Sequence, residues 1–337
     1  MPSSISNSDR PRWATAWAIA LAVAMFVVGA AEWHWRALGY VPNIRDSAEL
    51  WSIERDRVYA TDKIPLVLLG ASRIEFGIDM KLLATLLPRY RPVMLAQNAH
   101  YPLATLRDLA ADERFRGVVL CDVEAGGLYK MYTDMQQPLV DYYHRQWSPA
   151  WYVHRRILTL WQAHADVADP DLGAVATLRR WIAGVSPPAA EYFRFRADRS
   201  GDIDYAKTDP EAAKRHFAEL VARRNGLRAD VAPDAWLADL AQVYEWTKRI
   251  EARGGTVIFY QSPTSGAVAA ADAEMHPRAA YWDRFAATAP APVLDAMDDP
   301  ALRAFRLPDD SHLDFRDKPA YTRALVDLLV SRGLVSR

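Results

Sequence analysis

The stretch PLVLLG at residues 65–70 runs straight into ASRIEFGID at residues 71–79, and the reading of this junction decides the fold. Four consecutive aliphatic residues, Leu66 to Leu69, without polar alternation suit a strand covered on both faces, as in a parallel sheet. Gly70 and Ala71 then mark a tight turn before a mixed amphipathic stretch. Ser72 therefore falls just beyond the carboxyl end of a buried strand, where open α/β sheets bind their ligands.

The same grammar repeats outward from this point. PVMLAQ (92–97) and GVVLCDV (117–123) read as two more buried strands, with DMKLLATLL and PLATLRDLAAD in helical spacing between them. TVIFYQ (256–261) and APVLDA (291–296) supply two late strands, and an amphipathic helix over about 318–330 closes the chain. The order predicts a doubly wound, flavodoxin-like α/β/α three-layer domain with about five mostly parallel strands over residues 63–337. Between about 129 and 233 the pattern changes to helices rich in Arg, Trp and Tyr, with turn-forming stretches such as GVSPPAAE and DRSGDIDY. This predicts a helical insertion between the third and fourth strands, able to form one wall of a cleft.

Toward the N-terminus, residues 13–31 carry no charge and approach the roughly 20 residues needed to cross a bilayer. Arg10 and Arg12 precede them, and Trp13 and Trp33 bracket them as interface anchors do. The expected organisation is a cytoplasmic tail at 1–12, a transmembrane anchor at 13–31 and an exported remainder in the periplasm or outside the cell. A cleaved signal peptide is the alternative, since VVGA before Ala31 offers small residues. NIRDSAELWSIERDRVYA, within 32–62, reads as an amphipathic connecting helix.

With 337 residues, 51% hydrophobic and 25% charged, the composition is globular, and a net charge of -1 excludes the broad basic footprint of a nucleic-acid binder. The lone Cys121 lies in an apolar run, which removes disulfide chemistry and cysteine-based zinc sites. Asp309, Asp310, His312 and Asp314 cluster in sequence but lack a paired-histidine ligand spacing, so neither a metal nor another cofactor is expected.

Two pieces carry chemistry. A hydroxyl nucleophile such as Ser72 needs a base, and an imidazole serves best when a carboxylate fixes its tautomer. LPDDSHLDF, ahead of the last helix, puts Asp309 three residues before His312, with Asp310 as a closer fallback acid. Taken singly, Gly-x-Ser is also an ordinary turn, and an acidic loop before a helix also caps amides. Together, the pieces are expected to meet at one edge of one sheet. His100, Asp122 and Glu124 follow strands and are further cleft candidates, and Arg73 beside the serine is a candidate for holding an anionic substrate group.

The combination of LLGASR, DDSHLDF and the β-α-β-α-β order between them resembles the SGNH/GDSL hydrolase superfamily, over about half of the chain. The anchor, then G-x-S-R…G-I-D, an Asn after the second strand and D-x-S-H, resembles more narrowly the exported SGNH-like proteins of cell-envelope polymer acylation. Among these are the D-alanylation and alginate O-acetylation proteins, which act beside membrane-bound O-acyltransferases. The resemblance implies a catalytic Ser72, His312 and Asp309 acting on an acyl ester or polysaccharide as esterase or O-acyltransferase. A non-catalytic carbohydrate-binding or scaffold protein that partners a membrane-bound O-acyltransferase is the alternative. The superfamily's oxyanion set commonly adds a Gly after the second strand and an Asn after the third, and here those turns read AQNAHYP and CDVEAGGLY. Asn98 is the nearest candidate oxyanion donor.

Overall fold

Strand β1 (Ile64–Leu69) lies inside a five-stranded sheet with β2 (Tyr90–Met94), β3 (Val118–Asp122), β6 (Thr256–Gln261) and β7 (Val293–Asp295). Two short strands, β4 (Phe193–Phe195) and β5 (Gly201–Ile203), pair antiparallel as a separate hairpin. The large sheet runs in the order β2-β1-β3-β6-β7, and all four pairings are parallel. Leu66 pairs with Val118 and Leu120 with Ile258, so the central strands are in step. This is the flavodoxin-type doubly wound order, with its topological switch between β1 and β3.

Alternation of the strand side chains explains the three layers. Val67, Leu69, Val119, Cys121, Val257 and Phe259 pack on one face against Trp51, Leu106, Trp236 and Ile250. Leu66, Leu68, Leu120, Ile258 and Tyr260 pack on the other against Ile74, Leu83, Leu325 and Leu329. Cys121 is a buried free thiol in this core, and burial pushes its pKa far up, which leaves it inert.

This computed structural model describes residues 10–59, 62–226 and 231–337, so most of the expected tail at 1–12 lies outside the described residues. The chain divides into two compact units, one made of residues up to 45 with 156–191, the other of 46–155 with 192–337. In the first, a helix spans Arg10–Ala37, and its segment Trp13–Ala37 is apolar and long enough to cross a membrane, with a mean hydropathy of 2.1. The helix thus runs past residue 31 through the start of the expected connecting segment.

The rest of that segment differs from its reading as a connector. Its helix, Ala48–Asp56, belongs to the α/β unit and is built into the core. Ser47 caps it, Trp51 is fully buried and donates from Nε1 to the Leu95 carbonyl, and Arg55 is fully buried. Arg55 pairs with Asp108 at 2.8 Å and Asp112 at 3.0 Å, so the charges that look like solvated polarity in sequence are an interior ion network.

The expected helical insertion contains helices at Pro149–Gln162, Ala174–Ala183 and Pro210–Gly226, but also the β4–β5 hairpin. The hairpin covers the stretch read as turn-forming: the turn falls between the strands, and GDI itself is strand. Its register is fixed from three sides. Arg199, at the turn with φ 63° and fully buried, donates to both Asp46 carboxylate oxygens (2.8 and 2.6 Å) and to the Met94 carbonyl (2.9 Å). Lys318 Nζ donates to the Gly201 carbonyl at 2.6 Å, and Phe315 N to the Ile203 carbonyl at 2.9 Å. Gly201 touches Phe76 so closely that a Cβ there would sit 2.2 Å from the ring.

Candidate active site

Ser72 opens the short helix Ser72–Gly77 immediately after β1. The turn that aims it depends on Gly70, whose φ of +150° is open to glycine and whose Cβ would meet Ile74 at 2.7 Å and Asp122 at 2.9 Å. Ser72 is therefore held close over the end of β3. Its own N–H lies in the first helical turn, where backbone donors have no intrahelical acceptor.

The loop before the last helix brings the other two groups. Asp309 Oδ1 accepts from the backbone N–H groups of Ser311 (3.0 Å) and His312 (2.7 Å), an Asx-type turn that folds the loop onto its own carboxylate. Asp309 Oδ2 then lies 2.8 Å from His312 Nδ1, and His312 Nε2 lies 2.7 Å from Ser72 Oγ. Ser72, His312 and Asp309, separated by up to 240 positions, are joined in one chain of hydrogen bonds. Asp309 and His312 are buried, whereas Ser72 keeps partial access.

The electrostatics agree with this order. Burial works to raise the Asp309 carboxyl, yet the hydrogen bond and charge of His312, together with nearby Tyr205, bring it down to about 2. The Tyr205 hydroxyl lies beside Asp309 without a hydrogen bond of normal geometry. Asp309 is ionised at neutral pH. The His312 ring is held by edge contacts from Phe217 (centroids 5.0 Å apart) and Phe76 (6.5 Å).

Asp310, the closer fallback acid in sequence, turns away. Its φ is 67°, and its carboxylate accepts from Ser265 Oγ at 3.1 Å and Ala267 N at 2.9 Å, with Lys214 at 3.3 Å. It anchors the start of helix Gly266–Met275, and Asp309 is the aspartate bonded to His312.

A cavity of about 470 Å³ opens on Ser72 and His312. The hairpin and the helix Pro210–Gly226 form its apolar side through Phe193, Ile203, Phe217, Leu220 and Val221, and the turns after β2 and β3 contribute Asn98, Tyr101 and Glu124. No family model matches this chain, and no curated protein matches it. The site stands on its own geometry.

The remaining sequence candidates divide by what they touch. Asn98 lines the cavity and is exposed, at the turn where Ala99 takes a left-handed φ of 62°. Arg73 also lines the cavity, but its guanidinium is engaged: Nε donates to Ser311 Oγ at 2.9 Å and Nη1 pairs with Glu124. Burial opposes its charge, and Glu124, backed by Asp272 and Asp122, more than offsets this. Asp122 accepts from Ser262 N at 2.9 Å, and burial pushes it up to about 6 against the pull of Arg73. His100 lies in the same turn as Asn98, its Nδ1 2.7 Å from the Asn98 carbonyl.

Two residues were not legible as part of the site. Arg224, within the expected helical insertion, pairs with Glu124 at 3.0 Å and stacks over Tyr101, whose hydroxyl donates to Glu124 at 2.6 Å. Glu124 is thus an acceptor surrounded by donors, at the turn where the resemblance leads one to look for an Asn donor. Phe217, against His312, had only its helical spacing as a signal, which tells that a face is apolar and not what it covers.

Proposed function

We propose that the protein is a membrane-anchored, exported serine acyl-esterase or O-acyltransferase of the SGNH type, acting on an envelope or secreted polysaccharide. The observation that carries the chemistry is the unbroken line from Ser72 Oγ through His312 to Asp309, at 2.7 and 2.8 Å, at the mouth of a cavity. The anchor part rests on the apolar helix Trp13–Ala37, and the exported orientation on Arg10 and Arg12 before it.

In this reading, Ser72 Oγ attacks the acyl carbonyl while His312 Nε2 takes its proton, and the resulting imidazolium faces Asp309. The Ser72 N–H and Asn98 stabilise the oxyanion. The ester C–O bond then breaks, His312 protonates the departing alcohol, and the acyl group remains on Ser72. A sugar hydroxyl, or water, next gives its proton to His312 and takes the acyl group. Glu124 accepts rather than donates, so the oxyanion set is one donor short, a difference worth about a hundredfold or more in rate. Slow turnover on simple esters follows from that shortage.

The acceptor-only Glu124 also favours a second reading, in which the chain holds glycan or a membrane-bound O-acyltransferase without turning over itself. One experiment separates them. The full-length protein is treated with a serine-directed fluorophosphonate and with p-nitrophenyl acetate, alongside Ser72→Ala. Labelling of Ser72 and turnover that vanish in the variant support the enzyme. An unlabelled Ser72, with polymer acylation intact in cells carrying Ser72→Ala, rejects it in favour of the scaffold.

A further inference from the structure

Within the unit that contains the apolar N-terminal helix, helix Ala174–Ala183 and residues 156–162 at the end of helix Pro149–Gln162 leave hydrophobic side chains uncovered. Helix Ala174–Ala183 exposes Val175, Leu178, Trp181 and Ile182, the last two at 78% and 73%, in the i, i+3, i+6, i+7 spacing of one stripe. The end of helix Pro149–Gln162 likewise exposes Ile157, Leu160 and Trp161 at i, i+3 and i+4. Exposed apolar stripes of this kind mark a surface that meets a partner or a lipid layer.

The segment between these helices is clamped to the end of the apolar span. Glu32 Oε2 accepts from Val167 N at 3.1 Å, Arg36 Nη2 donates to the His164 carbonyl at 2.9 Å, and Trp35 Nε1 donates to the Leu172 carbonyl at 3.1 Å. Ala165 and Val167 also reach past Glu32, sharing a groove with Ala24, Met25, Val28 and Gly29. Those span residues lie three to eight positions before Glu32, about 5–12 Å along a helix axis. An interfacial helix buries its apolar face to roughly that depth, about 5–10 Å below the headgroups. Arg156, Arg179 and Arg180 are interspersed along the two helices, the composition that anionic headgroups attract.

We propose that the exposed faces of residues 156–162 and of helix Ala174–Ala183 lie in the headgroup and upper acyl layer of the bilayer that the N-terminal helix crosses. The chain then holds its membrane by a span and two interfacial helices. This rests on the anchor and is independent of the triad.

Spin-label accessibility tests it on the full-length protein in vesicles of phosphatidylethanolamine with a minor share of phosphatidylglycerol. Cys121 is fully buried, so single labels are introduced by Leu160→Cys, Leu178→Cys, Ile182→Cys, Ala20→Cys in the span and the exposed control Glu245→Cys. Labels at 160, 178 and 182 are expected to relax more with oxygen than with a water-soluble nickel chelate, as at 20, with the opposite order at 245. Labels at these three positions that behave like 245, while 20 reports lipid, overturn the proposal and leave the anchor standing. Inaccessibility to both reagents, or spin–spin broadening between copies, assigns the face to a protein partner and also overturns it. A wet label at 20 removes the anchor and the proposal together.

Discussion

Asp309→Asn isolates the part of the site that the geometry makes most specific. The variant keeps the acceptor Oδ1, so the two backbone bonds from Ser311 and His312 that shape the loop survive. Its amide nitrogen, however, replaces Oδ2 at 2.8 Å from His312 Nδ1. An NH2 group there forces Nδ1 to accept, which moves the imidazole proton to Nε2. His312 then donates to Ser72 Oγ instead of removing its proton. The charge is lost as well: an imidazolium 2.8 Å from a carboxylate gains ~6 kcal/mol at an effective dielectric of about 20, close to four powers of ten in rate. The fluorophosphonate labelling rate of Ser72, read by intact-protein mass spectrometry, should fall by about 10³–10⁴-fold. Folding is expected to change in a defined way. The gap between the ordinary 3.8 and the folded value of about 2 corresponds to ~2 kcal/mol of stability. Because the folded pKa is depressed, that stability is present above about pH 4–5 and is lost as pH falls toward 2. The difference in unfolding free energy between wild type and Asp309→Asn should shrink by this amount on acidification. A variant that labels within about tenfold of wild type, still folded, refutes the assignment of Asp309 as the group orienting His312.

Two other substitutions test neighbouring parts of the argument. Asp310→Asn should cost about 1–3 kcal/mol in chemical denaturation, by weakening the Ser265, Ala267 and Lys214 contacts, while Ser72 labelling stays within about tenfold; a collapse of labelling with stability intact would exchange the roles of the two aspartates. Gly201→Ala drives a methyl group to 2.2 Å from Phe76, which packs against both His312 and the hairpin rings. It should destabilise by about 1–3 kcal/mol and slow labelling as well, and an unchanged melting temperature would mean that the hairpin is not fastened through this contact.

The strands were legible because each is a short aliphatic run bounded by a turn, and the boundaries moved by only one to three residues: 65–70 became Ile64–Leu69, and 256–261 is unchanged. The triad was legible for a related reason. In a doubly wound sheet the ends of the strands converge, so a serine after β1 and a loop before the last helix meet at the same edge. Asp309 was preferred over Asp310 through the Asp-x-x-His resemblance, and the structure gives the physical reason: the backbone at Asp310 is left-handed and its carboxylate goes to Ser265 and Ala267, while Asp309 bonds to His312. Helix Ala48–Asp56 misled through its charges, because Glu54 and Arg55 read as solvated yet are buried. The hairpin was hidden by its size: three-residue strands carry too little alternation to stand out against DRSG, whose turn chemistry is real.

The proposed acyl chemistry also carries a substrate preference that can be argued from the cavity lining. Four charged or phenolic groups near the serine, Arg73, Glu124, Arg224 and Tyr101, pair with one another. An anionic substrate group would have to compete with Glu124 for both arginines, breaking pairs that are largely shielded from water, and such exchanges are costly. A neutral acyl ester makes no such demand. It needs an apolar wall, which Phe193, Ile203, Phe217 and Leu220 provide, and a donor beside Ser72 for one developing negative charge. If the proposed acyl chemistry holds, the internal neutralisation of the arginines favours neutral acyl and hydroxyl groups at the serine, while Arg73 Nε ties the loop of His312 through Ser311.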